Sequence, residues 1–127
     1  MEEAGKVDFI EAFKKRTKQF VIDNIKLFQN LPKSEEARII GRQLMRSSSS
    51  VGANYRAACR ARSKAEFHAK LSIVVEEADE SLFWMEILID ASIVSAQEIE
   101  PLRKEATEIL KVVASARKKV SPVKSRG

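Results

Sequence analysis

Arg62 and the single histidine, His68, form the one pair in the sequence whose types and spacing could support catalysis. Five residues separate them, and a helix is predicted to begin between them. A histidine can act as a general acid and base, and an arginine can bind an anion beside it, so the pair could support acid–base catalysis. The motif is short enough to occur by chance, and the intervening Ser63 is needed as a helix cap. We therefore predict a protein that is not an enzyme.

Other residue types that carry chemistry are too few or wrongly spaced to form a site. One histidine cannot supply a three-histidine zinc site, and the paired Glu-x-x-His motifs of di-iron bundles are absent. A run of carboxylates is better explained as a solvated or inter-subunit acidic face; it comprises Glu76, Glu77, Asp79 and Glu80. Cys59 is alone, which excludes an intrachain disulfide and favours a small packed side chain. We expect no metal and no cofactor.

Basic residues recur along one side of two predicted helices. Five arginines of the second helix lie within about 80° of one another when each residue turns the helix by about 100°. They are Arg38, Arg42, Arg46, Arg56 and Arg60, and a second row on the fourth helix comprises Lys104, Lys111 and Lys118. Such rows can contact the phosphates of RNA or DNA. The alternative is a solvated face that pairs with glutamates of a neighbouring subunit, since base-stacking aromatic residues are missing there.

The net charge of +5 permits binding to nucleic acid, and its distribution along the chain is uneven. Residues 35–62 carry six basic and two acidic groups, whereas residues 63–94 carry two basic and seven acidic groups. This asymmetry indicates segments that pair with each other or with copies of each other. No apolar run is long enough to span a membrane, and the first residues lack a signal-peptide pattern, so we predict a cytoplasmic protein without membrane contact.

Apolar residues at three- and four-residue steps predict four helices. Their expected ranges are about 8–31, 35–62, 64–92 and 96–119, followed by a frayed basic tail over 120–127. Pro32 ends the first helix, because proline disfavours helical geometry in the residue before it. Ser34, Ser63 and Ser95 are predicted N-caps of the other three. Short connections between amphipathic helices predict an all-α protein, a single antiparallel up-down four-helix bundle over residues 1–127, left-handed in packing.

The stretch "MRSSSSVGANYRAACR" has the composition of a linker but the periodicity of a helix. One helical face takes in every expected core position; these are Ile40, Leu44, Ser47, Val51, Tyr55 and Ala58. The serine run keeps the phase of this face, which a linker has no reason to do. Gly41 and Gly52 weaken the helix by roughly 1 kcal/mol each relative to alanine, a loss that close packing of a neighbouring helix can offset.

The third helix has more apolar residues than a core face needs. Its segment "SLFWMEILI" holds one charge, and several apolar and acidic residues fall on the half of the helix opposite the core. They are Ile73, Glu76, Glu80, Phe83, Trp84 and Ile87. Tryptophan and phenylalanine are frequent anchors of protein interfaces. We predict a homo-oligomer that uses this surface; the alternative is that loops or the chain ends cover it.

Three motifs in this order resemble a bacterial four-helix-bundle family, named after proteins encoded in intervening sequences of large-subunit ribosomal RNA genes. They are "SVGAN" over residues 50–54, "SKAEF" over 63–67, and an acidic-aliphatic helix over 76–88. The resemblance extends over about residues 8–119. It implies a four-helix bundle that forms a homo-oligomer, typically a pentamer, and it implies no catalytic residue.

Two further resemblances suggest functions. The sequence is similar to accessory proteins of diversity-generating retroelements, which implies binding to nucleic acid and to a reverse transcriptase. The alternative is a protein-interaction adaptor, or an accessory subunit of a reverse transcriptase, without a direct role in nucleic-acid binding. The Arg62 and His68 spacing resembles the motif of HEPN-type ribonucleases, which is the basis of the enzymatic alternative.

Overall fold

Four long helices make up the protein in a computed structural model that describes residues 2–120, with side chains from residue 5 onward. The helices are α1 (Glu2–Gln29), α2 (Glu35–Ala58), α3 (Lys64–Asp90) and α4 (Ala96–Lys119). Each helix packs on its neighbours in the order α1–α2–α3–α4, and α4 closes the bundle against α1. The predicted all-α four-helix bundle is confirmed. No helix in the described part is apolar over a length that could cross a membrane.

The helix bounds differ from the predicted ones at four ends, one of which is the end of α3, at Asp90 rather than near residue 92. Helix α1 begins at Glu2 rather than near residue 8. It ends at Gln29 because the amides of Asn30 and Leu31 already bond three residues back, to Leu27 and Phe28. Helix α2 ends at Ala58 rather than near residue 62. Just after Ala58, backbone amides again bond to carbonyls three residues back instead of four. The predicted tail lies outside the described residues, apart from residue 120.

Serine side chains begin the last three helices. Ser34, Ser63 and Ser95 each accept a hydrogen bond from the amide three residues on, at 3.2, 3.0 and 3.1 Å. Each bond satisfies an amide that has no partner within its helix. Helix α3 ends where Ser92 takes a left-handed backbone with φ of 60°. The chain therefore turns sharply there, and α4 begins five residues after α3 ends.

The core runs the length of the bundle, with contributions from every helix. Its largest fully buried side chains include Phe20 from α1, Val51 from α2, Leu71, Met85 and Leu88 from α3, and Ile99 and Ile109 from α4. The serine run is helical throughout, so it is not a linker. Of the six predicted core positions on α2, all but Ile40 are buried, and Ile40 is half-buried. The phase predicted for this face is therefore right.

Serine hydroxyls form the centre of the contact between α2 and α3. The Oγ atoms of Ser47 and Ser81 lie 3.0 Å apart, and both residues are fully buried. The Ser47 hydroxyl also donates to the Leu44 carbonyl at 3.2 Å, and Ser81 lies 2.8 Å from the Glu77 carbonyl. Ala78 is buried beside them. Small side chains thus bring these helices close while their polar groups stay paired.

Between α1 and α2, glycines allow the same close approach of two helices. A Cβ atom added at Gly41 would lie 2.7 Å from Leu31 Cδ1 and 2.8 Å from Phe28 Cδ1. One added at Gly52 would lie 2.8 Å from Val21 Cγ2 and 3.4 Å from the Thr17 carbonyl oxygen. Distances below 3.0 Å are too short for a real Cβ contact. The α1–α2 contact therefore depends on the absence of side chains at both glycines.

The α1–α4 contact is the sparsest of the four. Arg16 of α1 holds it through Glu105 of α4, with Nε to Oε2 at 2.6 Å and Nη2 to Oε1 at 2.9 Å. This two-bonded ion pair raises the pKa of Arg16. Towards the start of α1, the two helices leave an open groove.

Candidate nucleic-acid interface

The five arginines of the predicted stripe are all exposed, but they do not form one uniform surface. Arg38 and Arg42 lie towards α1, where they line a depression of about 330 Å³ together with Phe28 and Lys33. Arg46 faces α3. Arg60 lies in the turn after α2 rather than on the helix. The stripe therefore extends from the side of the bundle formed by α1 and α2 to the side formed by α2 and α3.

The strongest cluster of positive charge lies on the α1–α2 face around Arg56. Its guanidinium shares a surface pocket of about 480 Å³ with three lysines of α1, which are Lys14, Lys15 and Lys18. The pocket exists because its α2 wall is built from Ser49, Gly52 and Ala53, whose side chains are small or absent. Val21 and Ile22 supply its apolar lining. It is thus an apolar depression edged by four cations and one carboxylate, Glu11.

Few of these cations have a partner in the protein. Lys14 pairs with Glu11, one turn away, with Nζ 3.1 Å from Oε2. Within residues 5–120, Lys15, Lys18 and Arg56 make no ion pair, and neither do Arg38 and Arg42. Cations gathered on one face without counter-charges raise the local potential and attract anions. We call this surface the basic face; it comprises Lys14, Lys15, Lys18, Lys33, Arg38, Arg42 and Arg56.

The α1 lysines of the basic face were not among the predicted binding residues. The signal was present in the sequence as "KKRTK" over residues 14–18. A helical wheel cannot predict this cluster, because it considers each helix alone, whereas the cluster forms only when α1 and α2 pack side by side. Arg16, in the middle of the same run, turns away to Glu105 of α4.

Arg46 differs from the other arginines because its charge is neutralised within the chain. Its guanidinium binds Glu80 and lies 3.2 Å from Glu77 Oε2, both on α3. Trp84 Nε1 donates a 3.0 Å hydrogen bond to the same Glu80 carboxylate. Hydrogen bonds from Trp84 and Arg46 lower the pKa of Glu80, and the bond to Glu80 raises the pKa of Arg46. Of the acidic run that could face a neighbouring subunit, Glu77 and Glu80 are therefore engaged by Arg46 of their own chain, whereas Glu76 and Asp79 are exposed.

The predicted lysine row on α4 is exposed but not purely basic. Lys104 and Lys111 share a depression with Arg103 and two glutamates, Glu100 and Glu108. Arg103 also lies 3.7 Å from Glu100, atom Nη1 to Oε1. The alternating charges make this row a weaker attractor of phosphates than the basic face. Lys118 is exposed near the end of α4.

The predicted interface residues of α3 remain partly or largely exposed. Phe83 is 49% exposed, and its ring meets that of Trp84 edge-on at 4.9 Å between centroids. Glu76 is exposed, whereas Ile73, Glu80, Trp84 and Ile87 are half-buried. Ile39 of α2, 53% exposed, precedes Arg46 by seven residues and so lies on the same side of its helix. Together these residues form a surface that we call the α2–α3 face.

The remaining chemical candidates are separated or buried. Arg62 is exposed in the loop before α3, His68 is half-buried, and no hydrogen bond joins their side chains in the described part of the chain. Burial raises the pKa of both Cys59 and Tyr55, which leaves the thiol protonated and unreactive at neutral pH. Between residues 5 and 120, no three histidine, cysteine or acidic side chains converge on a possible metal position.

Comparisons with known proteins agree with this architecture. Residues 12–115 match the family described as 23S rRNA-intervening sequence protein. A crystal structure of a protein with unknown function, from the S23 ribosomal protein family of Bacteroides thetaiotaomicron, superposes with a TM-score of 0.80 at 31% sequence identity. The match covers 86% of this chain and 97% of the other. Among proteins with curated functions, nothing matches.

Proposed function

The chain belongs to the 23S rRNA-intervening sequence protein family, and from this premise we propose that it is a non-enzymatic, self-associating protein that binds the phosphate backbone of RNA or DNA. One observation carries the proposal: seven cations of α1, α2 and the turn between them share one face, and only Lys14 among them has an ion-pair partner in the described chain. Phosphate contacts need clustered, accessible cations and no particular base sequence.

The chemistry of the basic face favours backbone contact over base reading. In the described part of the chain, no aromatic residue lines the pocket around Arg56, and Phe28 is the one ring beside Arg38 and Arg42, so bases have few rings on which to stack. Lysine and arginine side chains on helix surfaces can adjust to phosphates at different spacings. We expect weak dependence on sequence and strong dependence on salt.

Self-association is proposed at the α2–α3 face. Phe83 and Trp84 expose aromatic surface next to Ile87, and such a cluster is unusual on a protein that works alone. Association would also set several basic faces side by side, and linked weak sites bind a long polyanion much more tightly than single ones.

Binding to labelled RNA and DNA, followed by fluorescence anisotropy over a salt series, tests the proposal. The double variant Lys18→Glu with Arg56→Glu should lose at least about tenfold in affinity, and the slope of log affinity against log salt should become shallower. The matched control, Lys104→Glu with Lys118→Glu, makes the same charge change on α4 and should lose much less.

Two outcomes would contradict the proposal. Equal losses for both double variants would mean that net charge alone attracts the nucleic acid. Absence of binding by the parent protein at low salt would remove the function altogether.

A further inference from the structure

We propose that copies of this chain associate through unlike surfaces: the α2–α3 face of one copy docks into the groove between α1 and α4 of the next. The proposal rests on the self-association proposed above and adds the identity of the receiving surface. Neither surface would meet its own counterpart on the second copy.

The receiving groove is apolar inside and positively charged at its edges. It has a volume of about 530 Å³ and is lined by Phe9 of α1 and by Val112, Ser115 and Ala116 of α4. Phe9 is 55% exposed, although its ring stacks on Phe13 at 5.8 Å between centroids. Among the side chains that the structure describes, residues 5–120, the charged ones of the lining are Lys6, Lys111 and Lys119, and none is acidic.

The groove is open because of how α1 and α4 pack. Their contact is the sparsest in the bundle, and the Arg16–Glu105 ion pair holds it about two helical turns beyond Phe9. On the α4 side, Ser115 and Ala116 are too small to fill the space. An exposed phenylalanine in such a position is most favourably buried by a partner that also has an apolar surface.

The α2–α3 face has the complementary chemistry. Phe83, Trp84 and Ile87 supply apolar surface, and the exposed Glu76 lies among them. Glu77 and Glu80 together carry one negative charge more than Arg46, with which both pair, so this surface stays net negative. The segment that contains this part of α3, residues 63–94, carries seven acidic and two basic groups. An acidic aromatic surface thus matches a lysine-edged apolar groove in both polarity and charge.

Other occupants of the groove fit less well. Nucleic acid would satisfy the lysines but leave Phe9 and Val112 without an apolar partner. Contact between two copies of the α2–α3 face would place glutamates against glutamates.

The positions of the two surfaces make the assembly compatible with nucleic-acid binding. Because each helix packs on its sequence neighbours, the α2–α3 face and the α1–α4 groove lie on opposite sides of the bundle. The basic face lies between them and would stay accessible in every copy. Contacts between unlike surfaces produce closed rings or open filaments, depending on the rotation between copies.

Native mass spectrometry of a mixture of two variants, each with one of the two surfaces disrupted, tests this arrangement. Phe83→Asp disables the donating surface, and Phe9→Asp disables the receiving groove. Each variant alone should be monomeric, whereas an equimolar mixture should form a one-to-one dimer through the one intact pair of surfaces. Circular dichroism checks that both variants keep the parent helix content.

The outcomes separate this proposal from simple self-association. If Phe9→Asp still self-associates while Phe83→Asp does not, the α2–α3 face is used but the groove is not, and this proposal is wrong. A parent protein that stays monomeric at about 50 μM, or a mixture without a heterodimer, overturns it as well. Nucleic-acid binding is read independently by anisotropy.

A charge exchange covers the case in which an aspartate variant fails to fold. Lys111→Glu and Glu76→Lys should each weaken self-association at least about fivefold, because each places like charges together. The double variant should recover most of the parent affinity. Loss in the double variant equal to the sum of the single losses would count against direct contact between these surfaces.

Discussion

Helix α2 meets α1 and α3 through small residues, but the two contacts treat their charges differently. Towards α3, Ser47 pairs with Ser81, and the outer edge is closed by Arg46 with its two glutamates. Towards α1, glycines allow the close approach, and the outer edge is a row of cations of which only Lys14 has an ion-pair partner, Glu11, within the described residues. Arg46, which is paired with glutamates, contributes to the stability of the fold, whereas the basic residues without an ion-pair partner are available to bind an external anion.

The largest expected effect comes from filling the space at the glycine contact. Gly41→Val should reduce the free energy of unfolding by about 2 kcal/mol, because its branched side chain would overlap Phe28 and Leu31. Urea denaturation measures the change. The matched control is Gly5→Ala, since a Cβ at Gly5 meets nothing within 4 Å. The control should be neutral or slightly stabilising because alanine favours helix.

If both glycine variants change stability in the same direction, the α1–α2 contact is looser than described. That result would also remove the reason for the shape of the pocket around Arg56, because the pocket depends on the same close approach at Gly52.

The serine contact should be less costly to disturb. Ser81→Ala removes a buried hydroxyl and is expected to reduce stability by about 1 kcal/mol. Ser47→Ala should have a similar effect. Combining them should cost less than the sum, because the second substitution removes a hydroxyl whose partner is already gone. Additive losses in a double-mutant cycle would show that the two hydroxyls do not interact.

The sequence predicts the two contacts of α2 unequally well. Periodicity alone places Ser47 and Val51 in the core, because a helical face follows from spacing within one helix. It cannot place Lys14 next to Arg56, since these residues are 42 positions apart in the chain and meet only after α1 and α2 have packed. It also groups Arg46 with the other arginines, because a wheel does not reveal that glutamates of α3 lie within reach.

The same limit applies to the surface of α3. Its apolar composition and its acidic residues are evident from the sequence, and the structure leaves Phe83 exposed, as the periodicity predicts. The groove that we propose as its partner was not predicted. Phe9 and Val112 lie far apart in the chain, and the groove that they line forms only when α1 and α4 have packed.

Substituting arginines at the two edges of α2 separates folding from binding. Arg46→Ala should reduce stability by about 0.5 kcal/mol, the usual size for a partly exposed ion-pair cluster. Arg56→Ala should leave stability unchanged or slightly raised, because it relieves repulsion from the α1 lysines. In anisotropy measurements the order reverses, with the larger loss of RNA affinity for Arg56→Ala. Identical stability changes for the two variants would contradict the distinction between the edges.

The smallest expected effect is a pH dependence confined to the α3 edge. The lowered pKa of Glu80 means that the folded protein holds this carboxylate ionised more firmly than the unfolded chain, whose glutamates titrate near about 4.3. Its stabilising contribution is therefore complete above the unfolded pKa and is lost as pH falls through the lower folded pKa. Urea denaturation between pH 6 and pH 3, followed by fluorescence of the single tryptophan, should show a shallower loss for Glu80→Gln than for the parent. The control is Glu76→Gln, which replaces an exposed carboxylate one turn away and should follow the parent profile. If all three proteins gave the same profile, Trp84 and Arg46 would not stabilise the charged form of Glu80 in solution.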